Sequence, residues 1–154
     1  MEIVDYRPEH AGAFRALNEA WMSQHFHLEP EDKAVLADPE GEILDGGGRI
    51  FMALKDGAPV GCVAMFALAD GGFEIANMTV ADGQRGSGLG RALLDRCVEA
   101  ATTAGAPRLY LEAGKALAPA LSLYRAMGFT PAPRSRERPH DDARFDVVLE
   151  KRLG

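Results

Sequence analysis

Two aspartate-glycine turns constrain the middle of this chain more than any other feature. Arg49 to Lys55, Pro59 to Leu68 and Gly72 to Val80 read as strands, joined by Asp56-Gly57 and by Asp70-Gly71-Gly72. Short Asp-Gly connections supply the left-handed backbone that tight antiparallel hairpins need. The simplest product is a three-stranded meander. Its last strand runs directly into Val80-Ala-Asp-Gly-Gln-Arg85-Gly-Ser-Gly-Leu-Gly-Arg91, where Gly86, Gly88 and Gly90 alternate before an apolar helical pattern begins at Leu89.

The flanking segments complete a mixed architecture. Residues 2 to 6 alternate as a short strand. Pro8 suits the first turn of a helix, and Phe14, Leu17 and Trp21 recur at helical spacing to about Phe26. Pro30 and Pro39 bracket a second, shorter helix. Beyond the glycines, Leu89, Leu93, Val98 and Ala101 mark a helix that stops at Gly105. Pro107 to Glu112 is a buried-type strand, Pro119 to Gly128 a further helix, and Arg144 to Glu150 a last alternating strand after a polar loop over 133 to 143. The order β-α-α-β-β-β-α-β-α-β-β implies an α/β or α+β fold, a sheet with helices on both sides.

Size and charge narrow the function classes. At 154 residues, 47% hydrophobic and 26% charged, the chain suits one domain over 1–154 that buries roughly 70% of its unfolded surface. The longest apolar stretch, Ala58 to Ala69, is broken by Pro59 and Gly61 and is too short for a bilayer span. Glu2 and Asp5 stand where a signal peptide needs basic residues, so a cytosolic protein without membrane partners is expected. Cys62 and Cys97 lie in apolar segments without ligand or redox spacing and read as reduced core residues. The net charge of −6 argues against a nucleic-acid partner. All of it arises between Glu29 and Asp45, where seven carboxylates face only Lys33.

Alternating glycines at a helix entrance let successive backbone N–H groups turn toward one anion, and the helix dipole adds to the attraction. A phosphate or pyrophosphate is the expected ligand. A nucleoside-triphosphate loop would need Lys followed by Ser or Thr after the final glycine, but Gly90 is followed by Arg91-Ala92. A dinucleotide loop would need a third glycine where Arg91 stands, although Glu112 at a strand end mimics the ribose-binding acid. A glycine-rich turn with no ligand is the plain alternative.

Arg85-x-x-Gly88-x-Gly90 after an antiparallel strand resembles the acetyl-CoA pyrophosphate loop of the GNAT superfamily of N-acetyltransferases. Leu109-Tyr-Leu-Glu-Ala-Gly, followed by Ala120-x-x-Leu123-Tyr124-x-x-x-Gly128-Phe129, is similar to that family's fifth strand, fourth helix and terminal Gly-Phe. The resemblance covers essentially the whole chain. It implies a mostly antiparallel sheet of six to seven strands flanked by about four helices, with the fourth and fifth strands splayed around the pantetheine arm. It further implies that Met78, Thr79 and Val80 offer backbone groups to that arm, while Arg85, Gly86, Ser87, Gly88, Leu89, Gly90 and Arg91 hold the pyrophosphate. Tyr124 matches the tyrosine placed near the thioester sulfur as general acid, with a packing role as the alternative. Glu74 falls where some members carry a catalytic glutamate; the alternative is a surface side chain on an exposed strand face. The asparagine that many relatives carry after the fifth strand is absent, since Glu112-Ala113 leads to Gly114.

The implied reaction is direct transfer from acetyl-CoA to a primary amine, of a small molecule or a protein, by a monomer or homodimer without a metal. A non-catalytic acyl-CoA sensor is the alternative from another class. The acceptor side of such a fold comes from Trp21 to Asp45 and Arg134 to Arg144. Trp21, Phe26, His25 and His27 with Glu29 are candidates to line an amine pocket; the alternative puts Trp21 and Phe26 in the core and the histidines at the surface. His25-x-His27 has no third ligand at a recognised metal spacing. The charged loop from Arg134 to Arg144 reads as a mobile flap or as a solvent-exposed connection.

Overall fold

The chain opens with β1 (Glu2–Asp5), which lies antiparallel to β2 (Arg49–Lys55) in a computed structural model. The model describes residues 1–154 apart from Phe26, His27, Arg85, Ala116, Pro139, Asp141, Asp142 and the side chain of His25. β2 turns through Asp56 and Gly57, both left-handed at φ 51° and 81°, into β3 (Ala58–Ala67). Positive φ at both central residues is what a two-residue hairpin requires. β3 turns again into β4 (Phe73–Val80), completing the expected meander.

The sheet continues through β5 (Arg108–Ala113), β6 (Thr130–Pro131) and β7 (Val147–Arg152), in the spatial order β1-β2-β3-β4-β5-β7-β6. Among the described residues, β4 and β5 are the one parallel pair. Four α-helices cover the two faces: α1 (Ala11–His25) and α2 (Pro30–Ala37) on one, α3 (Leu89–Thr103) and α4 (Ala118–Ala126) on the other. Leu93, Leu94 and Cys97 of α3 and Leu121 of α4 join the first core, with Phe51, Val63 and Ile75 from the sheet. Phe14 and Met22 of α1 and Val35 and Leu36 of α2 join the second, against Met52, Cys62 and Ala64. The seven strands and four α-helices described agree with the mostly antiparallel sheet of six to seven strands and about four helices that the family resemblance implies. Among the described residues, no helix is long and apolar enough to cross a membrane.

Several boundaries differ from the sequence reading. Pro8–His10 forms a separate 3-10 turn before α1, closed by the Arg7 N–H donating to His10 Nδ1 at 3.0 Å. Glu40–Leu44 winds into an unexpected π-helical turn. The last strand begins at Val147 rather than Arg144, because Arg144 turns aside to ion-pair with Asp32 of α2 at 3.2 Å. Pro107 has no N–H for a ladder, so β5 starts one residue later.

Two irregularities around β4 create the site. β4 pairs with β5 only at Phe73↔Leu109 and Glu74↔Tyr110, and beyond that the strands part. On its other side β4 is bulged against β3: Ala64 pairs with Ala76 and Cys62 with Thr79, so two residues, Asn77 and Met78, oppose Val63 alone. Asn77 carries the strain of the bulge at φ 53°. The extra residue shifts the alternation. Ile75 faces the α3 core, and after the bulge Met78 and Val80 face it instead of Asn77 and Thr79.

Cys62 and Cys97 are free, fully buried thiols. Burial pushes Cys62 up to about 11, opposed by Thr79 and Asn18, and Cys97 up to about 12, opposed by Arg96. In the unfolded chain both return to about 8.5. Raised folded values contribute stability that is complete below the unfolded value and lost as pH rises through the folded one. The melting temperature should therefore fall between about pH 8.5 and 11. Thermal unfolding of Cys97→Ala should show a shallower alkaline decline than the unmodified chain; an identical slope would remove Cys97 from the account.

Candidate functional site

The gap between β4 and β5 opens into a cavity of about 330 Å³, within the range of small-molecule sites. Its walls include Glu74 to Thr79 of β4, Leu111 to Ala113 of β5 and Gly114 beyond it, Asn18 and Trp21 of α1, Tyr124 of α4, and Arg138, His140 and Arg144 from the final loop. A wider groove of about 840 Å³ adjoins it and shares Asp32, Asn77, Arg138 and His140.

Beyond the pairing point, the parted strands expose backbone groups. Ala81 N–H donates to Val60 O at 2.9 Å, so the alternation along β4 turns the N–H and C=O of Val80 away from β3 and toward the gap. Met78 and Thr79 line the cavity, whereas Val80 borders a neighbouring recess on the α1 side. Polar groups on a freed strand edge must find partners, and an extended ligand with amide groups can provide them.

The glycine loop lies at the entrance to α3. Gly86 and Gly88 are left-handed, at φ 79° and 80°, and no heavy atom lies within 4 Å of where a Cβ would stand on either. Gly88 is also the N-cap of α3, so the cap position has no side chain to bond the first-turn N–H groups. An open, uncapped helix N-terminus beside a concave turn suits an anion. A Cβ on Gly90 would stand 3.5 Å from Leu123 Cδ2 of α4, Leu89 is buried in the α3 core, and Ser87 Oγ donates to Gln84 O at 2.5 Å. Arg91 is exposed, and Arg85 lies outside the described residues.

Tyr124 reaches the cavity from α4 while being only 9% exposed, with its ring 6.0 Å from that of Phe129. Burial, with a lesser contribution from Cys97, pushes its hydroxyl up to about 12, so it remains a protonated donor through the neutral range.

Glu74 is not the exposed side chain that the alternative reading allowed: it is 2% exposed. Its lateral pairing with Tyr110 puts both side chains on one face, and Glu112, two residues along, joins them. A buried carboxylate needs a cation or donors. His140 Nε2 stands 2.6 Å from Glu74 Oε2, and Arg138 Nη1 lies 3.1 Å from the same oxygen. The Arg138 guanidinium also sits over the Phe66 ring, 3.3 Å from its centroid; burial draws its pKa down and the Glu74 charge opposes this. Glu112 accepts from Tyr110 Oη at 2.8 Å and ion-pairs with Arg134, while Tyr110 Oη accepts from the Ser135 N–H at 2.8 Å. Burial, and then the proton given to Glu112, raises Tyr110 strongly, although the Ser135 N–H opposes this.

Three arginines of the final loop are thus not solvent-exposed: Arg134 and Arg138 turn toward the strand carboxylates Glu112 and Glu74, and Arg144 toward Asp32, while Arg136 is exposed. The same docking accounts for the missing asparagine after β5: a Cβ at Gly114 would stand 2.9 Å from Arg144 O. Any side chain there would collide with the loop backbone.

Of the acceptor candidates, Trp21 is half-buried and lines the cavity, and Glu29 is exposed on the adjoining groove at the start of α2. Phe26 and His27 lie outside the described residues, as does the side chain of His25. Sequence reasoning missed Tyr110, Arg138, His140, Asn18 and Asn77 as site residues. A usable signal existed: Glu74 and Glu112 lie in otherwise apolar strands, and the 134–144 loop holds a surplus of arginine to meet them. Glu74, Glu112 and His140 also bring potential ligand atoms within 4.8 Å of one another, a spacing a divalent ion could bridge. Arg134 and Arg138 already ion-pair with the two carboxylates, and that positive charge opposes a metal there.

Comparison with known proteins agrees with this geometry. The chain is 36% identical over 140 residues to an IAA acetyltransferase of Azospirillum brasilense, covering 90% of this chain and 84% of that protein. It is 34% identical to a streptothricin acetyltransferase of Streptomyces lavendulae over 65% of this chain and 54% of that one. The fold superposes on a GNAT acetyltransferase from Staphylococcus aureus with a TM-score of 0.89, at 19% identity and 99% coverage of both chains. A Salmonella typhimurium protein solved with its cofactor acetyl-CoA superposes with a TM-score of 0.76, at 21% identity, covering 100% of this chain and 94% of that one. Residues 13–129 match the model of the acetyltransferase (GNAT) family, and the chain belongs to that family.

Proposed function

We propose that residues 1–154 act as one N-acetyltransferase domain that moves the acetyl group of acetyl-CoA directly to a primary amine. The observation that carries this reading is the parting of β4 from β5 after Glu74 and Tyr110, which leaves a cavity bordered by Glu74 on one strand and Tyr124 on the facing helix. The names of the two acetyltransferase relatives accord with a small-molecule acceptor, and a protein amine is the other class to test. The two buried thiols suit the reducing cytosol.

The residues fit acetyl-CoA. The open amides around Gly86 and Gly88 and the N-terminus of α3 would take the pyrophosphate, with Arg85 and Arg91 adding charge, and the Met78 to Val80 edge would take the pantetheine amides. When bound, acetyl-CoA supplies an activated thioester. Val80 N–H, turned into the gap, is suited to polarise a carbonyl oxygen there. Tyr124, still protonated at neutral pH, donates to the departing sulfur. Glu74 provides the negative charge that a proton leaving the amine requires. Trp21 and Glu29 border the space left for the acceptor.

Incubating the protein with acetyl-CoA and a panel of primary amines should release free thiol with at least one of them. CoA binding without turnover of any amine would favour a sensing domain instead. Gly88→Ala puts a Cβ on a left-handed residue at a cost of about 1–2 kcal/mol and obstructs the cradle. Calorimetry should show CoA affinity reduced about tenfold or more, because the new methyl crowds the space the pyrophosphate would take; unchanged affinity would remove the loop from the cofactor site. Tyr124→Phe should lower kcat about 10²-fold with CoA affinity retained. An unchanged rate and pH profile would reduce Tyr124 to a packing residue.

A further inference from the structure

Acetyl transfer to an amine needs a group that takes a proton from the ammonium form of the acceptor, and the inference drawn here rests on that reading of the reaction. Glu74 is poorly placed to do this by contact. Its side chain is 3% exposed, and Oε2 is already covered by the His140 imidazole and the Arg138 guanidinium. Of the side chains against Glu74 Oε2, His140 is the one that can accept a proton, since a guanidinium has no free lone pair to offer. His140 lines both the inter-strand cavity and the acidic groove, at the place where the two spaces meet.

We propose that His140 is the proton-accepting catalytic residue of this enzyme and that Glu74 is the residue that positions it. Nε2 faces a carboxylate at 2.6 Å, so the neutral ring carries its proton on Nε2 and donates it to Glu74. That leaves the lone pair on Nδ1, which makes no hydrogen bond to any described residue. Phe145, 5.2 Å away between ring centroids, packs against the imidazole and limits its rotation. A base within reach of the reacting group, oriented by a third group behind it, is the recurrent arrangement for activating a nucleophile.

The charges around the ring favour this role. Glu74 from β4 faces the ring directly at Nε2. Glu112 from β5 lies within 4.8 Å of the same atoms, but Arg134 neutralises it. Arg138 from the same loop offsets Glu74 in part, and Asp32 from α2 is paired with Arg144. One carboxylate is thus left in direct contact with the ring.

The proton balance closes with the residues in place. Nδ1 of His140 takes one of the three ammonium protons, and the freed nitrogen lone pair forms the C–N bond. The C–S bond breaks with its electron pair on sulfur, which receives the Tyr124 hydroxyl proton. A second proton leaves the nitrogen as the amide forms and restores Tyr124, and the imidazolium releases its proton to water. The sum is an amide, a thiol and one free proton.

The test uses the full chain. His140→Ala should lower kcat/KM for an amine that the unmodified protein acetylates by about 10²-fold or more, with CoA affinity by calorimetry unchanged. Added imidazole should restore part of the rate. Nitrogen NMR of the ligand-free protein should find the His140 proton on Nε2 at neutral pH, and Glu74→Gln should mix the two tautomers. Undiminished turnover in His140→Ala, a loss that imidazole does not relieve, or a ring protonated on Nδ1 would overturn the assignment and leave acetyl transfer standing. An unmodified protein that binds CoA but acetylates no amine would overturn the acetyl-transfer reading and this assignment with it.

Discussion

The separation of β4 from β5 is the constraint on which the rest of this structure depends. Parallel neighbours gain their stability from a continuous ladder, yet here the ladder stops after Glu74 and Tyr110. The loss is tolerable because both strands remain anchored on their outer sides, β4 to β3 through residues up to Val80 and β5 to β7 along its whole length. The helices then hold the wedge open. Leu123 of α4 comes within van der Waals reach of where a Cβ on Gly90 would stand, so the head of α3 and the helix carrying Tyr124 lie side by side. A binding cleft is the direct consequence of one interrupted strand pair.

The bulge at Asn77 solves a second problem created by the same wedge. β4 must pack Phe73 and Ile75 against α3 and α4 at one end, present Glu74 to the opposite face, and still cover α3 with Met78 and Val80 at the other end. Strict alternation cannot do all of this over eight residues. One extra residue resets the parity. Asn77 tolerates the left-handed backbone better than most side chains, and its Nδ2 donates to Asn18 Oδ1 at 3.3 Å, which ties the bulge to α1.

Much of this was legible in the sequence wherever the information is local. The hairpin turns were readable because Asp56-Gly57 has few other conformations open to it, and the open glycine turn before α3 because alternating glycines at a helix entrance are costly without a purpose. Tyr124 was singled out by the family resemblance, and the structure puts it on the cavity wall. The arrangement around Glu74 was not readable in that way. His140 meets it across 66 residues, and Arg134 meets Glu112 across 22, by contacts that no periodicity encodes. The loop that supplies these partners looks like a solvated run of mixed charge. Arg134 and Arg138 turn inward because two carboxylates, Glu112 and Glu74, are already buried in mostly apolar strands. Gly114 shows the same limit from the other side: the departure from the family pattern looked like a lost contact, whereas the Arg144 carbonyl occupies the space.

The charge distribution acquires a physical meaning once the loop is placed. The acidic segment between Glu29 and Asp45 does not face solvent uniformly. Asp32 is committed to Arg144 and to the Glu29 N–H, and Glu40 to the Tyr6 hydroxyl, while Glu29, Glu31 and Glu42 border the groove that leads to His140. A cation approaching along that groove passes exposed carboxylates first, and then meets Arg138 beside the buried one. The outer charges attract and the inner guanidinium repels, which favours an acceptor that gives up its charge on entry. In the proposed reaction the proton leaves near the junction of groove and cavity, where the His140 imidazole, backed by Glu74, lies with Asp32, Asn77 and Arg138.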